Sequence, residues 1–93
     1  MSLVIYSVQL SEEALSQFND LDNSIKLRIK KYLQKLKTAK DTRTLRGNPD
    51  IWVVQVGSYR ILYLINNQTQ LKTIFFIADH RKYEQLYNKM FGK

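Results

Sequence analysis

The tightest constraint on the fold is the spacing of three strand-like runs in the second half of the chain. Residues 51–56 (IWVVQV), 59–65 (YRILYLI) and 71–78 (LKTIFFIA) are rich in β-branched and aromatic residues, and only Gly57 and Ser58 separate the first two. So short a link closes as a type I′ or II′ hairpin and sets the register: Val56 faces Tyr59, Gln55 faces Arg60 and Val53 faces Leu62. The second link, Asn66, Asn67, Gln68 and Thr69, is made of turn formers. The runs form a meander, and Gln55 and Arg60 project from one of its faces.

The rest of the chain must pack on that meander. Residues 3–10 (LVIYSVQL) have strand composition. Ser11 supplies a helix N-cap, and Glu12 and Glu13 place negative charge in a first turn, where the helix dipole favours it, so a short helix is expected to about Asn19. After the polar link of residues 21–24, Ile25, Ile29, Tyr32, Leu33 and Leu36 form one helical stripe with lysines between them. Two helices joined so closely make an antiparallel hairpin. Residues 37–50 lose periodicity and read as a basic loop ending in the turn formers Gly47, Asn48, Pro49 and Asp50. In residues 81–91, Tyr83, Leu86, Tyr87 and Met90 fall at helical spacing. The expected fold is α+β, ordered β-α-α-β-β-β-α: one domain over residues 1–93, with a small antiparallel sheet, an N-terminal helical hairpin and a C-terminal helix. The helices should lie mainly on one sheet face, leaving the other open. Trp52, Tyr63, Phe75 and Phe76 are expected in the core.

Ninety-three residues have no room for a second catalytic domain. The absence of cysteine removes disulfides and thiolate metal sites, and one histidine cannot build a multi-histidine site, so neither metal nor small-molecule cofactor is expected. No run approaches the length of a bilayer span, and the first residues lack the pattern of a signal peptide, so no membrane partner and a cytoplasmic location are expected. The net charge of +7 is unevenly spread. Residues 1–23 carry only acids. Residues 24–46 carry Lys26, Arg28, Lys30, Lys31, Lys35, Lys37, Lys40, Arg43 and Arg46 against the single acid Asp41. A face this positive suits either a polyanion or plain solvation.

Leu45-Arg46-Gly47-Asn48-Pro49-Asp50 with Trp52, then Gly57-Ser58-Tyr59-Arg60-Ile61-Leu62-Tyr63, then Ile77-Ala78-Asp79-His80-Arg81-Lys82 with Tyr87, resemble the RelE toxins of bacterial and archaeal toxin-antitoxin pairs, within the RelE/ParE superfamily. The resemblance implies a metal-independent endoribonuclease that acts on mRNA in the ribosomal A site. Its neighbouring 2′-OH attacks the phosphate, leaving a 2′,3′-cyclic phosphate and a free 5′-OH. It also implies a cognate antitoxin, which for so basic a chain should be acidic. Arg60 matches the arginine aimed at the scissile phosphate, Arg81 the basic residue before the final helix, Tyr87 the tyrosine of that helix, and His80 a position where relatives carry histidine or lysine. The sequence departs from the pattern at Val53 and Gln55, where the best-known enzymes carry lysines, and neither can transfer a proton. Two other readings follow: a ParE-like toxin that inhibits DNA gyrase without cutting RNA, or a degenerate homologue that only binds its antitoxin.

The candidate catalytic set is thus Arg60, His80, Arg81 and Tyr87. Candidate RNA contacts are Lys30, Lys31, Lys37, Arg43, Arg46, Gln55, Lys82 and Tyr83. Arg60 interrupts an apolar run with few acids nearby, which favours a phosphate over a structural ion pair. His80 can be a neutral imidazole base or a capping residue. Gln55 can orient RNA or simply face solvent. Tyr83 and Tyr87, one turn apart, share a helix face, so one can be core and the other a stacking platform.

Overall fold

The computed structural model describes residues 5–41 and 43–91. Its elements are β1 (Ser7–Leu10), α1 (Glu12–Asn19), α2 (Asn23–Leu36), β2 (Thr44–Leu45), β3 (Asn48–Val56), β4 (Tyr59–Asn66), β5 (Leu71–Asp79) and α3 (His80–Phe91). Of the expected opening strand, Leu3 and Val4 lie outside the described residues, and the strand itself starts at Ser7. The expected order holds with one addition. The basic stretch contains the two-residue strand β2, which turns back through Gly47 (φ 93°) onto β3.

The sheet order is β1-β5-β4-β3-β2. The hairpin register is the one dictated by the two-residue link, with Val56 opposite Tyr59, Gln55 opposite Arg60 and Val53 opposite Leu62. Gly57 has φ 60° and Ser58 does not enter the left-handed region, the pattern of a II′ turn. The sheet is mixed rather than wholly antiparallel, because β1 runs parallel to β5, pairing Val8 with Lys72 and Leu10 with Ile74. β1 takes the free edge of β5. The helical hairpin then carries the chain over one face toward the other edge, and the meander returns with β5 alongside β1.

Ser11 caps α1 as its sequence requires, its Oγ accepting from the Ala14 amide at 3.1 Å. α1 and α2 press Ala14, Ile29, Leu33 and Leu36 onto Ile61, Tyr63, Ile74 and Ile77, with Trp52 packed at the margin. The opposite face is not left open. There Leu45, Ile51, Val53 and Leu62 form a second cluster, covered by Phe75, Phe76 and the α3 residues Tyr83, Leu86 and Tyr87. A bulge between Leu62 and Tyr63 breaks the alternation, which lets consecutive Phe75 and Phe76 both serve the second cluster. No helix among the described residues is long and apolar enough to cross a membrane.

Among the described residues, Lys72 is the one charged residue that is buried, at 1% exposure. Its Nζ donates to the Leu36 carbonyl at 2.8 Å, the Ala39 carbonyl at 3.4 Å and Asp41 Oδ1 at 2.9 Å. A cation is thereby set against the Leu36 carbonyl at the C-terminal end of α2, where the helix dipole favours it. The Tyr63 hydroxyl donates to the same Asp41 oxygen at 2.5 Å. This group ties the end of α2 and the start of the basic stretch to the middle of the sheet.

Candidate nucleic-acid interface

The α3 side of the sheet carries the residues of interest. Strand alternation puts Gln55 and Arg60, a cross-strand pair, on that face with Val53 and Leu62. Arg60 is half-buried, and its guanidinium carbon lies 5.5 Å from the centre of the Tyr83 ring. Among the described residues no carboxylate meets it, and Nη1 is buried without a hydrogen-bond partner. A charged donor left unsatisfied is costly, and it is the arrangement an incoming anion would complete.

α3 begins where Asp79 Oδ1 accepts from the Lys82 amide at 2.9 Å, so the capping side chain is Asp79 rather than His80. The His80 amide instead donates to the Ser58 carbonyl at 3.0 Å, pinning the helix start to the β3–β4 turn. His80 Nε2 lies 3.1 Å from Glu84 Oε1, with both side chains exposed. The rings of His80 and Tyr83 are 6.5 Å apart, and those of Tyr83 and Tyr87 are 6.4 Å apart. Three rings at i, i+3 and i+7 thus form a row along one side of the helix, with Arg60 beneath its middle member.

Other sequence candidates are placed differently. Arg81 is exposed, and the 100° step per residue turns it away from the Tyr83, Leu86 and Tyr87 stripe, so it does not join Arg60. Gln55 does not reach Arg60 either, since its Nε2 donates to the Gly57 carbonyl at 2.9 Å. Val53 is buried in the second cluster. Lys82 borders a cavity of about 230 Å³ with Gln17, Asp20, Asp22 and Tyr59, beside the helical hairpin. Arg43 and Arg46 are exposed on either side of β2. Lys30, Lys31 and Lys37 belong to α2 and its end, across the sheet from Arg60. Lys30 and Lys37 border an apolar groove of Val8, Leu10, Leu15, Phe18 and Leu33.

Two side chains escaped the sequence reading. Lys72 shares its strand face with Ile74, two residues on, which was the signal that it points inward. Arg28 reaches the β3–β4 turn: a Cβ added to Gly57 would stand 3.2 Å from its Nη1.

The ParE toxin of type II toxin-antitoxin systems (parDE) is the family whose sequence profile matches the chain, over residues 8–83. The chain belongs to the ParE toxin family. It is accordingly a toxin of a type II system of the RelE/ParE kind. Comparison with curated proteins gives no match. Among solved structures, the fold is similar to the toxin-antitoxin complex RelBE2 from Mycobacterium tuberculosis, with TM-score 0.76, 19% identity, and coverage of 85% of this chain and 95% of that one. It is also similar to the intact E. coli RelBE complex, with TM-score 0.69, 22% identity, and coverage of 80% and 95%. The archaeal RelE-RelB complex from Pyrococcus horikoshii matches at TM-score 0.69 and 18% identity, covering 81% and 94%. At these identities the likeness is one of fold, and within the ParE toxin family the chemistry has to be argued from the residues.

Proposed function

We propose that this toxin cleaves mRNA in the ribosomal A site, holding the scissile phosphate at Arg60. The observation that carries the reading is the buried, partnerless Nη1 of Arg60 under a row of aromatic rings. A guanidinium offers a phosphate paired donors, and rings flanking it offer bases a stacking surface. With Val53 buried and Gln55 bonded to the turn, neither of these β3 positions supplies a proton acceptor. His80 fills that role in this reading. When its Nε2–H donates to Glu84, Nδ1 is left as the acceptor for the 2′-OH proton. The 2′-oxygen then attacks phosphorus, Arg60 stabilises the charge gathering on the phosphoryl oxygens, and the departing 5′-oxygen takes its proton from water. The products are a 2′,3′-cyclic phosphate and a free 5′-OH.

In this reading the ribosome supplies the alignment, and free RNA should be cut slowly or not at all. The reading sets the site of action in the cytoplasm. Its cognate partner is an acidic antitoxin that folds over the basic toxin; the solved relatives named above are toxin-antitoxin complexes. A second reading, gyrase inhibition without RNA cleavage, is favoured by Val53 and Gln55 standing where the enzymes carry lysines. Primer extension on mRNA in a translating extract, run beside a gyrase supercoiling assay, separates the two. Discrete cuts within codons support the nuclease, and intact mRNA with blocked supercoiling overturns it.

A further inference from the structure

α2 carries two rows of cations on opposite flanks of its solvent face. Lys26, Lys30 and, just past the helix end, Lys37 lie on one flank; Arg28, Lys31 and Lys35 lie on the other at i, i+3 and i+7, the spacing that aligns side chains along a helix. Arg28, Lys31 and Lys35 are exposed and have no ion pair or hydrogen bond among the described residues. The two flanks differ in where they lead. Lys30 and Lys37 border the apolar groove beside β1, whereas the guanidinium of Arg28 lies over Gly57, with Nη1, Nη2 and Cζ at 3.2, 3.3 and 3.4 Å from where a Cβ would stand.

That position connects two sides of the molecule. The turn beneath Arg28 is held by the Gln55 side chain on the Gly57 carbonyl and by the His80 amide on the Ser58 carbonyl. Two residues past Ser58 stands Arg60. We propose that Arg28, Lys31 and Lys35 form a phosphate-binding track that continues over the β3–β4 turn to Arg60, so that the polynucleotide held at the site also runs along α2. This rests on the reading of Arg60 as a phosphate site. Arg28 suits the role because its guanidinium packs over Gly57, where no side chain intervenes, and because it has no ion pair or hydrogen bond among the described residues, so its donors are free for an anion. The partner is a single polynucleotide strand, recognised by charge spacing and not by sequence.

The test is anisotropy of a short fluorescent 2′-O-methyl RNA, which cannot be cleaved, titrated with the full chain over a range of salt. Each of Arg28→Ala, Lys31→Ala and Lys35→Ala is expected to weaken binding and to reduce the slope of log affinity against log salt by about 0.7, the increment for one phosphate contact on a single strand. Lys26→Ala and Lys89→Ala should leave the slope unchanged. A wild-type slope in the three row variants, with binding still weakened by Arg60→Ala, overturns the track and leaves the Arg60 reading standing. Loss of slope in the row variants with no effect of Arg60→Ala keeps the row as a polyanion surface and overturns the phosphate site. Equal slope loss in the Lys26 and Lys89 variants reduces the effect to diffuse charge and also overturns the track.

Discussion

The guanidinium of Arg60 and the ring of Tyr83 form one unit, 5.5 Å from cation carbon to ring centre, although they come from different elements. Arg60 is the lone cation in its strand, and Tyr83 is the first α3 residue to turn toward the sheet. Their contact determines how the site responds to substitution.

Arg60→Met should separate stability from activity. It removes a buried donor that has no partner, which offsets the lost contact with Tyr83, and urea unfolding should show a gain of about 1 kcal/mol. Single-turnover cleavage on programmed ribosomes should fall about 100- to 1000-fold, the usual cost of one charge-stabilising contact. Arg81→Ala, on the solvent side of α3, should cost less than Arg60→Met in the same assay. A slow Arg81→Ala variant beside a fully active Arg60→Met variant would falsify the assignment.

Tyr87 tests stacking against proton transfer. Tyr87→Phe keeps the ring and should cleave at a rate close to wild type. Tyr87→Ala should lose about 10- to 100-fold, as expected for one stacked base. A large loss in the Phe variant would move Tyr87 from stacking to proton delivery.

Lys72→Ala strips the Leu36 and Ala39 carbonyls and Asp41 of their shared donor. A loss of about 3 kcal/mol is expected in urea unfolding, because an acid, the Leu36 carbonyl at the end of α2 and the Ala39 carbonyl beyond it are left uncompensated. Lys72→Met retains the apolar stem and should cost less. Equal losses would mean that charge, not the packing of the stem, gives Lys72 its value.

Tyr63 gives stability an alkaline limit. Burial first, and then its hydrogen bond to Asp41, raise the phenol well above its ordinary range. The folded chain therefore keeps a proton that the unfolded chain releases above about pH 10. The contribution is whole below that pH and drains away as pH rises further. Tyr63→Phe loses about 1 kcal/mol at neutral pH through the missing hydrogen bond, and its stability should fall less steeply than wild type above about pH 10. Parallel curves would show that Tyr63 is not the group responsible.

Much of this architecture could be read from local pattern. The β3–β4 register followed from a two-residue link, and the α2 stripe from apolar spacing. Three features were hidden for physical reasons. β2 is too short to show a period, and the parallel run of β1 beside β5 depends on how the hairpin carries the chain, which no local residue encodes. Lys72 occupies an inward position that polarity would assign to solvent, and only the Asp41 and α2 carbonyls, distant in sequence, make it tenable. In the site, Arg60 was visible as a charge inside an apolar run. Tyr83 and Tyr87 were visible from their four-residue spacing, whereas the outward turn of Arg81 required knowing which side of α3 meets the sheet.

The two faces of the sheet are unequally loaded. Two helices clamp one face, and α3 alone covers the other, through Tyr83, Leu86 and Tyr87. The aromatic row rides on that single helix. If α3 lifts away, the row disperses and Arg60 is laid bare, while the larger core beneath α1 and α2 keeps its contacts. On the proposed reading of the site, a partner that competed for the α3 seat would have only the smaller cluster to displace, and would disarm the molecule without unfolding it.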